Sequence, residues 1–392
     1  MPWNRCIVAG GFVLVASALL FGCVTPRPPV PPPKPPMHTL RYERASWPQL
    51  PGWGADSLQE AWTAFLSSCR ALRFRVEWKP PCDAALAITD ESLGALRHYF
   101  EQYFEPYLIL KVPSPIREDT GLITGYYEPL LMGARTPSAE FATPLYAPPP
   151  DLLIVDLASL YPELKGKTVR GRLEGNRVLP YYTRAELPTD PGLQGKEIVW
   201  INSALDAFLL EVQGSGRVQL PNGEVIRLQY ADQNGQPFRS IGRHLVEKGE
   251  LTTEQATMPG IRAWLVAHPE RLQEVLNANP SVVFFNETPL GDPKVGPKGA
   301  QGIPLTPGRS IAVDAAIVPL GAPVFLSTTQ PASDAPLQRL VIAQDTGGAI
   351  NGAPRADFFW GTGPEAGELA GKMRQTGSMW LLWPRGVALP GS

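Results

Sequence analysis

Histidine, cysteine and an excess of either charge are all scarce in this chain, and each scarcity removes a class of function. Four histidines occur in 392 residues (His38, His98, His244 and His268), and no two share helical ligand spacing. The carboxylates lack the strict alternation of a calcium loop, and no glycine-rich phosphate or dinucleotide loop is present. The expectation is therefore no metal and no cofactor. A formal net charge of −2 with no basic run argues against nucleic acid as a partner. No long apolar run follows the first two dozen residues, and no internal repeat is visible.

Those first residues read as an address. Arg5 precedes an almost wholly apolar stretch from Ile7 to Phe21, too short to span a bilayer comfortably and flanked like a signal peptide. Leu20-Phe21-Gly22-Cys23 resembles a bacterial lipobox, which implies cleavage after residue 22 and a lipid on Cys23. A plain signal peptide with an incidental cysteine is the competing reading. Val24, rather than Asp, follows the cysteine, and by analogy this points to a periplasm-facing lipoprotein of the outer membrane. In Thr25–Pro36, eight of twelve residues are proline. Such a segment favours extended polyproline II and reaches roughly 35–40 Å at ~3.1 Å per residue. It reads as a tether, with a proline-rich ligand for a partner domain as the alternative. Removal of Cys6 with the leader and lipidation of Cys23 would leave Cys69 and Cys82, a candidate disulfide in an exported chain.

The remaining length can build two domains with real cores. Its 44 prolines and 37 glycines predict many turns and short strands, a mainly β fold with some helices. Helical spacing marks Asp56–Leu72 and Thr89–Phe104, the latter through Leu93, Leu96, Phe100 and Phe104. Phe238–Lys248 and Met258–Asn277 also read as helices. Expected strands are Lys167–Arg172, Glu197–Asn202, Phe208–Gln213, Gly216–Leu220 and Val225–Tyr230, with Pro221-Asn222-Gly223 as a hairpin turn. Gln213-Gly214-Ser215-Gly216 is not a serine nucleophile elbow, because Gln213 stands where the first glycine is required.

The chemistry concentrates between Ser310 and Pro384. Asp314, Asp345 and Asp357 each end a short apolar run or follow a tight turn, where a β scaffold exposes functional side chains. Carboxylates sharing one cleft repel, so one tends to keep its proton and becomes a general acid. Composition alone leaves open that Asp345-Thr346-Gly347-Gly348 is only a turn. Upstream, Gly121–Pro129 reads as a strand reaching a turn, with Tyr126 and Tyr127 offering flat faces to a sugar or simply packing.

Asp345-Thr346-Gly347-Gly348-Ala349-Ile350-Asn351-Gly352, then Asp357, then Gly361-x-Gly363-Pro364-Glu365-Ala366-Gly367, resembles the signature of the membrane-bound lytic murein transglycosylase A family. Thr124–Pro129, Gln213–Arg217 and Asn279–Phe285 resemble its other landmarks, in the expected order. The resemblance implies a double-psi β-barrel (37–129 and 282–392, with the three-aspartate region at 310–384). A smaller β-barrel-like domain (130–281) would be inserted into it, with the substrate groove between them. It implies cleavage of the β-1,4 bond between N-acetylmuramic acid and N-acetylglucosamine in peptidoglycan glycan strands, leaving 1,6-anhydro ends. Asp357 would be the acid and base, Asp345 and Asp314 its supporting carboxylates. Thr124, Gly125, Tyr126, Tyr127, Gln213 and Ser215 would line the glycan site. A two-carboxylate hydrolase and a non-catalytic wall-binding module remain as rivals.

Overall fold

The computed structural model describes residues 41–164 and 169–391. The leader, Cys23 and the proline-rich tether lie outside the described residues. In chain order the elements begin with β1 (Tyr42–Arg44), α1 (Leu58–Leu72), α2 (Lys79–Ala87), α3 (Leu93–Tyr103), β2 (Phe104–Ile109) and β3 (Gly121–Glu128). There follow β4 (Leu130–Ala134), β5 (Thr143–Tyr146), β6 (Leu153–Ile154), β7 (Arg170–Glu174), β8 (Arg177–Pro180), β9 (Glu197–Ile201), α4 (Ala204–Gln213), β10 (Ser215–Gln219) and β11 (Val225–Gln233). Then come α5 (Ile241–Glu247), α6 (Met258–Ala267), α7 (Leu272–Asn277) and β12 (Val283–Pro289). The chain ends with β13 (Ser310–Ala312), β14 (Pro323–Thr329), β15 (Pro336–Asp345), β16 (Arg355–Thr362), α8 (Pro364–Lys372) and β17 (Arg374–Pro384).

Among the described residues the strands sort into three sheets. The largest runs β1-β2-β17-β14-β15-β13-β16-β3, and β17 pairs with β3 as well, so six of its strands close into a ring. Closure removes the open edges at which a sheet would otherwise recruit other chains. Its buried strands read as near-continuous apolar runs: Val324, Phe325 and Leu326 on β14, and Leu340 to Ala343 on β15, are all inaccessible to solvent. A second sheet runs β12-β11-β10-β4-β9-β5 around its own core of Leu131, Val199, Ile201, Val218, Ile226 and Leu228. A third holds β6-β7-β8.

Helix α1 covers one flank of the ring. Its apolar residues recur at Leu58, Ala61, Trp62, Phe65, Cys69 and Leu72, one helical face, and all are buried. Trp62 and Phe65 meet Tyr99 and Phe100 of α3 at ring-centroid distances of 5.1–6.0 Å. Each such buried aromatic contributes about 2–3 kcal/mol of burial free energy. Two polar contacts set the helix's position. The buried Arg309 guanidinium reaches Asp56 and Glu60 at 3.0 Å each, and the Gln344 amide donates to Ala64 O and Ser68 Oγ at 2.9 Å. Cys69 and Cys82 are joined by a disulfide that ties α1 to α2.

Several elements differ from their sequence reading. Phe208–Gln213 is not a strand but the second half of helix α4. Ser203 Oγ caps that helix by accepting from Asp206 N at 3.2 Å, and Gly214 ends it in the left-handed region at φ 77°. The segment looks like a strand because α4 lies between two cores. Leu205 and Phe208 enter one and Ala207 and Leu210 the other, so its apolar pattern is nearly continuous. Met258–Asn277 divides into α6 and α7 at Pro269, which cannot continue the helix. The strand read at Lys167–Arg172 is β7, which begins at Arg170; residues 167 and 168 lie outside the described residues.

Candidate active site

Asp357 and Asp345 are brought into one row of the ring. Asp357 on β16 stands opposite Ala312 of β13, and Ala312 stands opposite Asp345 at the end of β15. The two aspartate Cα atoms are thus two strand spacings apart, about 10 Å. On its other side Asp357 is in register with Thr124 of β3. Period two places Thr124 and Tyr126 on the same face of β3, and each serves one acid. Thr124 Oγ1 donates to Asp357 Oδ1 at 2.6 Å, and the Tyr126 hydroxyl donates to Asp345 Oδ2 at 3.0 Å.

The two acids meet different surroundings. Asp345 Oδ1 also accepts backbone N–H groups from Ala300 and Thr346, each at 2.9 Å. Burial raises its pKa, and those hydrogen bonds oppose the rise. Asp357 is pushed up to about 6, chiefly by burial. The Thr124 hydrogen bond and the Arg355 charge pull it back, and the Asp345 charge adds to the rise. Arg355 does not pair directly with the carboxylate. Its Nη1 donates to Thr124 Oγ1 at 3.0 Å and to Leu122 O at 3.2 Å. The threonine oxygen therefore receives a proton from arginine and directs its own to Asp357. Arg355 went unremarked in the sequence, although its signal was there: it precedes Asp357 by two on a strand, and period two puts both on one face.

Asp314 is placed differently. Its Oδ2 accepts from Gly352 N at 2.8 Å and its Oδ1 from Ala316 N at 3.1 Å, so both oxygens organise turns. The first of these ties the 346–352 loop back to β13. Gln213, the last residue of α4, accepts from Tyr127 N through Oε1 at 3.0 Å. Ser215 is half-buried at the start of β10, opposite Gln229. The Tyr127 ring packs on α8 so closely that a Cβ at Gly367 would come within 2.8 Å of it. Gly125 has a packing reason of its own: a Cβ there would sit 2.6 Å from Trp360 Nε1 and 3.0 Å from Ala370 Cα. Among the described residues, no cluster of three or more histidine, cysteine or acidic side chains could hold a metal ion.

Two polar assemblies brace these surroundings. Glu128, fully buried at the end of β3, accepts from Arg227 Nε at 2.7 Å and from Arg217 Nε at 2.8 Å. Both arginines also reach carbonyls of the 293–296 segment, so one ion cluster joins β3, β10 and β11 to the turn that follows β12. The second assembly explains the Asn279-Pro280-Ser281 landmark. Asn234 Nδ2 donates to Pro280 O, Asn279 Oδ1 accepts from Arg239 N and Ser281 N, and Arg184 donates to Asn279 O and Ser281 O. That motif is a clasp for the returning chain and touches neither acid.

A closed ring that places two acids beside a hydroxyl and a phenol belongs to a known class: residues 309–383 match the 3D domain, and residues 122–286 match the MltA specific insert domain. The chain is 33% identical over 266 residues to membrane-bound lytic murein transglycosylase A of Escherichia coli K12, covering 66% of this chain and 64% of that protein, just under two thirds of its length. It is 36% identical to the crystal structure of MltA from Neisseria gonorrhoeae, with a TM-score of 0.75 and coverage of 92% of this chain and 97% of that one. The structure of E. coli MltA with bound chitohexaose is 26% identical, with a TM-score of 0.65 over 89% of this chain and 96% of that one. The chain belongs to the membrane-bound lytic murein transglycosylase A family.

Proposed function

We propose that the protein is a lytic transglycosylase that cleaves the β-1,4 bond between N-acetylmuramic acid and N-acetylglucosamine in peptidoglycan, with Asp357 as its single acid and base. The observation that carries this reading is the elevated proton affinity of Asp357, about 6, in a carboxyl group with Thr124 on one oxygen. An ordinary aspartate near ~3.9 is protonated about once in a thousand at pH 7; at 6 the acid form is roughly one in ten. Protonated Asp357 gives its proton to the glycosidic oxygen as the C1–O4 bond breaks. The muramic acid C6 hydroxyl closes on C1 and its proton passes to the Asp357 carboxylate. The acid is thereby restored without water, and the product is a 1,6-anhydro ring. A hydrolase would need a second carboxylate as nucleophile or base. Here the other acid in the row, Asp345, already accepts three hydrogen bonds, which suits a group that holds charge near C1.

The same reading takes the six-stranded ring as a double-psi barrel and residues 130–281 as an inserted substrate-binding domain. Thr124 to Tyr127, Gln213 and Ser215 would lie along the groove between the two, and the neighbour with bound chitohexaose supports a glycan occupant. Lipid on Cys23 would hold the body at the outer membrane, facing the periplasm; the relatives' printed name, membrane-bound, supports an anchor.

Mass spectrometry of products from purified peptidoglycan tests the proposal. Muropeptides one water lighter than hydrolysis products are expected. Reducing-end muropeptides would replace it with the two-carboxylate hydrolase, and binding without any product would replace it with a wall-binding module.

A further inference from the structure

The turn between α1 and α2 exposes what the rest of the fold hides. Phe74 is 79% and Val76 86% accessible, among the most exposed large apolar side chains of the described residues. Arg70, Arg73 and Arg75 surround them, and none has a carboxylate partner among the described residues; the Arg73 guanidinium lies 4.9 Å from the Phe74 ring centre. Glu77 is the one acid of the turn, since Lys79 and Asp83 neutralise each other at 2.5 Å. The patch is thus apolar at its tip and cationic at its base.

This exposure is built in. Leu72 and Trp78 at the two ends of the turn are buried, and Trp78 packs edge-on against Trp383 at 5.5 Å. Arg75 N donates to Leu72 O at 2.8 Å and Trp78 N to Arg75 O at 3.0 Å, and the Cys69–Cys82 disulfide closes the segment. The turn cannot fold Phe74 and Val76 inward without breaking these contacts. Beside it lies a groove of about 400 Å³ with apolar walls of Val76, Pro80, Pro81, Tyr103, Pro384 and Val387, which Glu77, Gln102 and Arg385 also line.

We propose that this face docks on an anionic lipid surface, with Phe74 and Val76 entering the headgroup–acyl boundary and Arg70, Arg73 and Arg75 meeting lipid phosphates. An apolar tip on a cationic base is the charge and polarity pattern of interfacial insertion. Its position gives the contact a use. The groove lies at the Pro384 end of β17, while Arg374 at the other end of that strand stands opposite Thr124, the residue that holds Asp357. Ten residue steps at ~3.3 Å separate the two ends by roughly 33 Å. Docking by the turn would therefore leave the acids beside the end of that strand far from the contact. The proposal does not depend on the cleavage reached there.

A nitroxide at residue 71 of the full chain (Ala71→Cys) tests it on phosphatidylethanolamine–phosphatidylglycerol vesicles, with a second label at Leu160 as the solvent-facing control. Protection of the first label from an aqueous nickel chelate, with the second still accessible, is expected. Each arginine near an anionic surface strengthens partitioning about fivefold, so R70Q/R73Q/R75Q is expected to weaken docking roughly a hundredfold and expose the label. F74S/V76S should expose it as well. Residue 71 equally open to the chelate with and without vesicles would overturn the proposal. So would protection that persists in both variants, or protection that requires an added protein partner instead of lipid.

Discussion

At two positions four residues apart, strand β3 meets carboxylates that are treated in opposite ways: its own Glu128, and Asp357 of the neighbouring β16 beside Thr124. At Glu128 a fully buried acid meets two guanidinium groups and is spent on joining strands. At Thr124 the neighbouring strand offers Asp357, which receives one hydroxyl hydrogen bond, while the nearest arginine addresses the hydroxyl rather than the acid. Full neutralisation makes a joint; incomplete neutralisation in a partly buried place leaves a group that still competes for a proton. The difference between structure and chemistry is here a matter of how many donors each acid was given.

That contrast can be broken in three ways. The largest effect is expected in activity: Asp357→Asn should lower the rate of peptidoglycan cleavage about 10²–10⁴-fold while the fold survives. A loss below tenfold in the same assay would remove Asp357 from the chemistry. Next, Glu128→Ala should cost about 3–5 kcal/mol in urea denaturation, because it strands two buried guanidinium groups. A comparable cost in Asp357→Asn would erase the distinction between the two acids.

The third is smaller and has a definite sign. The folded pKa of Asp357 is raised to about 6, so the folded state holds its proton more tightly than the unfolded chain does. Its stabilising contribution is complete below about pH 4 and is lost as pH climbs to about 6. Asp357→Asn should therefore be more stable than wild type by roughly 1–3 kcal/mol at pH 7.5, with the gain vanishing near pH 4. Denaturation curves at the two pH values measure it, and a gain independent of pH would mean that this carboxyl is not strained by burial.

The elements legible in the sequence are those whose pattern has a local cause. The apolar runs of β14 and β15, the turn at Asn222-Gly223 and the helical stripe of α1 announce themselves by period and by turn chemistry. Helix α4 misleads because two cores claim its two faces, and one stretch of sequence cannot say how many neighbours it has. The three aspartates were visible as strand ends, yet Asp357 lies inside β16, and Asp314 proves to be a turn-former by its two backbone hydrogen bonds. The link from Arg355 through Thr124 to Asp357, and the pairing of Glu128 with Arg217 and Arg227, were not legible. Partners 89 to 233 residues apart leave no mark on local pattern.

The separation of 233 residues between Thr124 and Asp357 has a consequence for how the protein is made. Most of the chain must emerge before the two can meet, and β17, the last strand, closes the ring by pairing with β3. A fragment released early from the ribosome lacks either the acid or the strand that seals its surroundings. No partial chain that stops short of β17 holds both Asp357 and the strand that closes the ring around it.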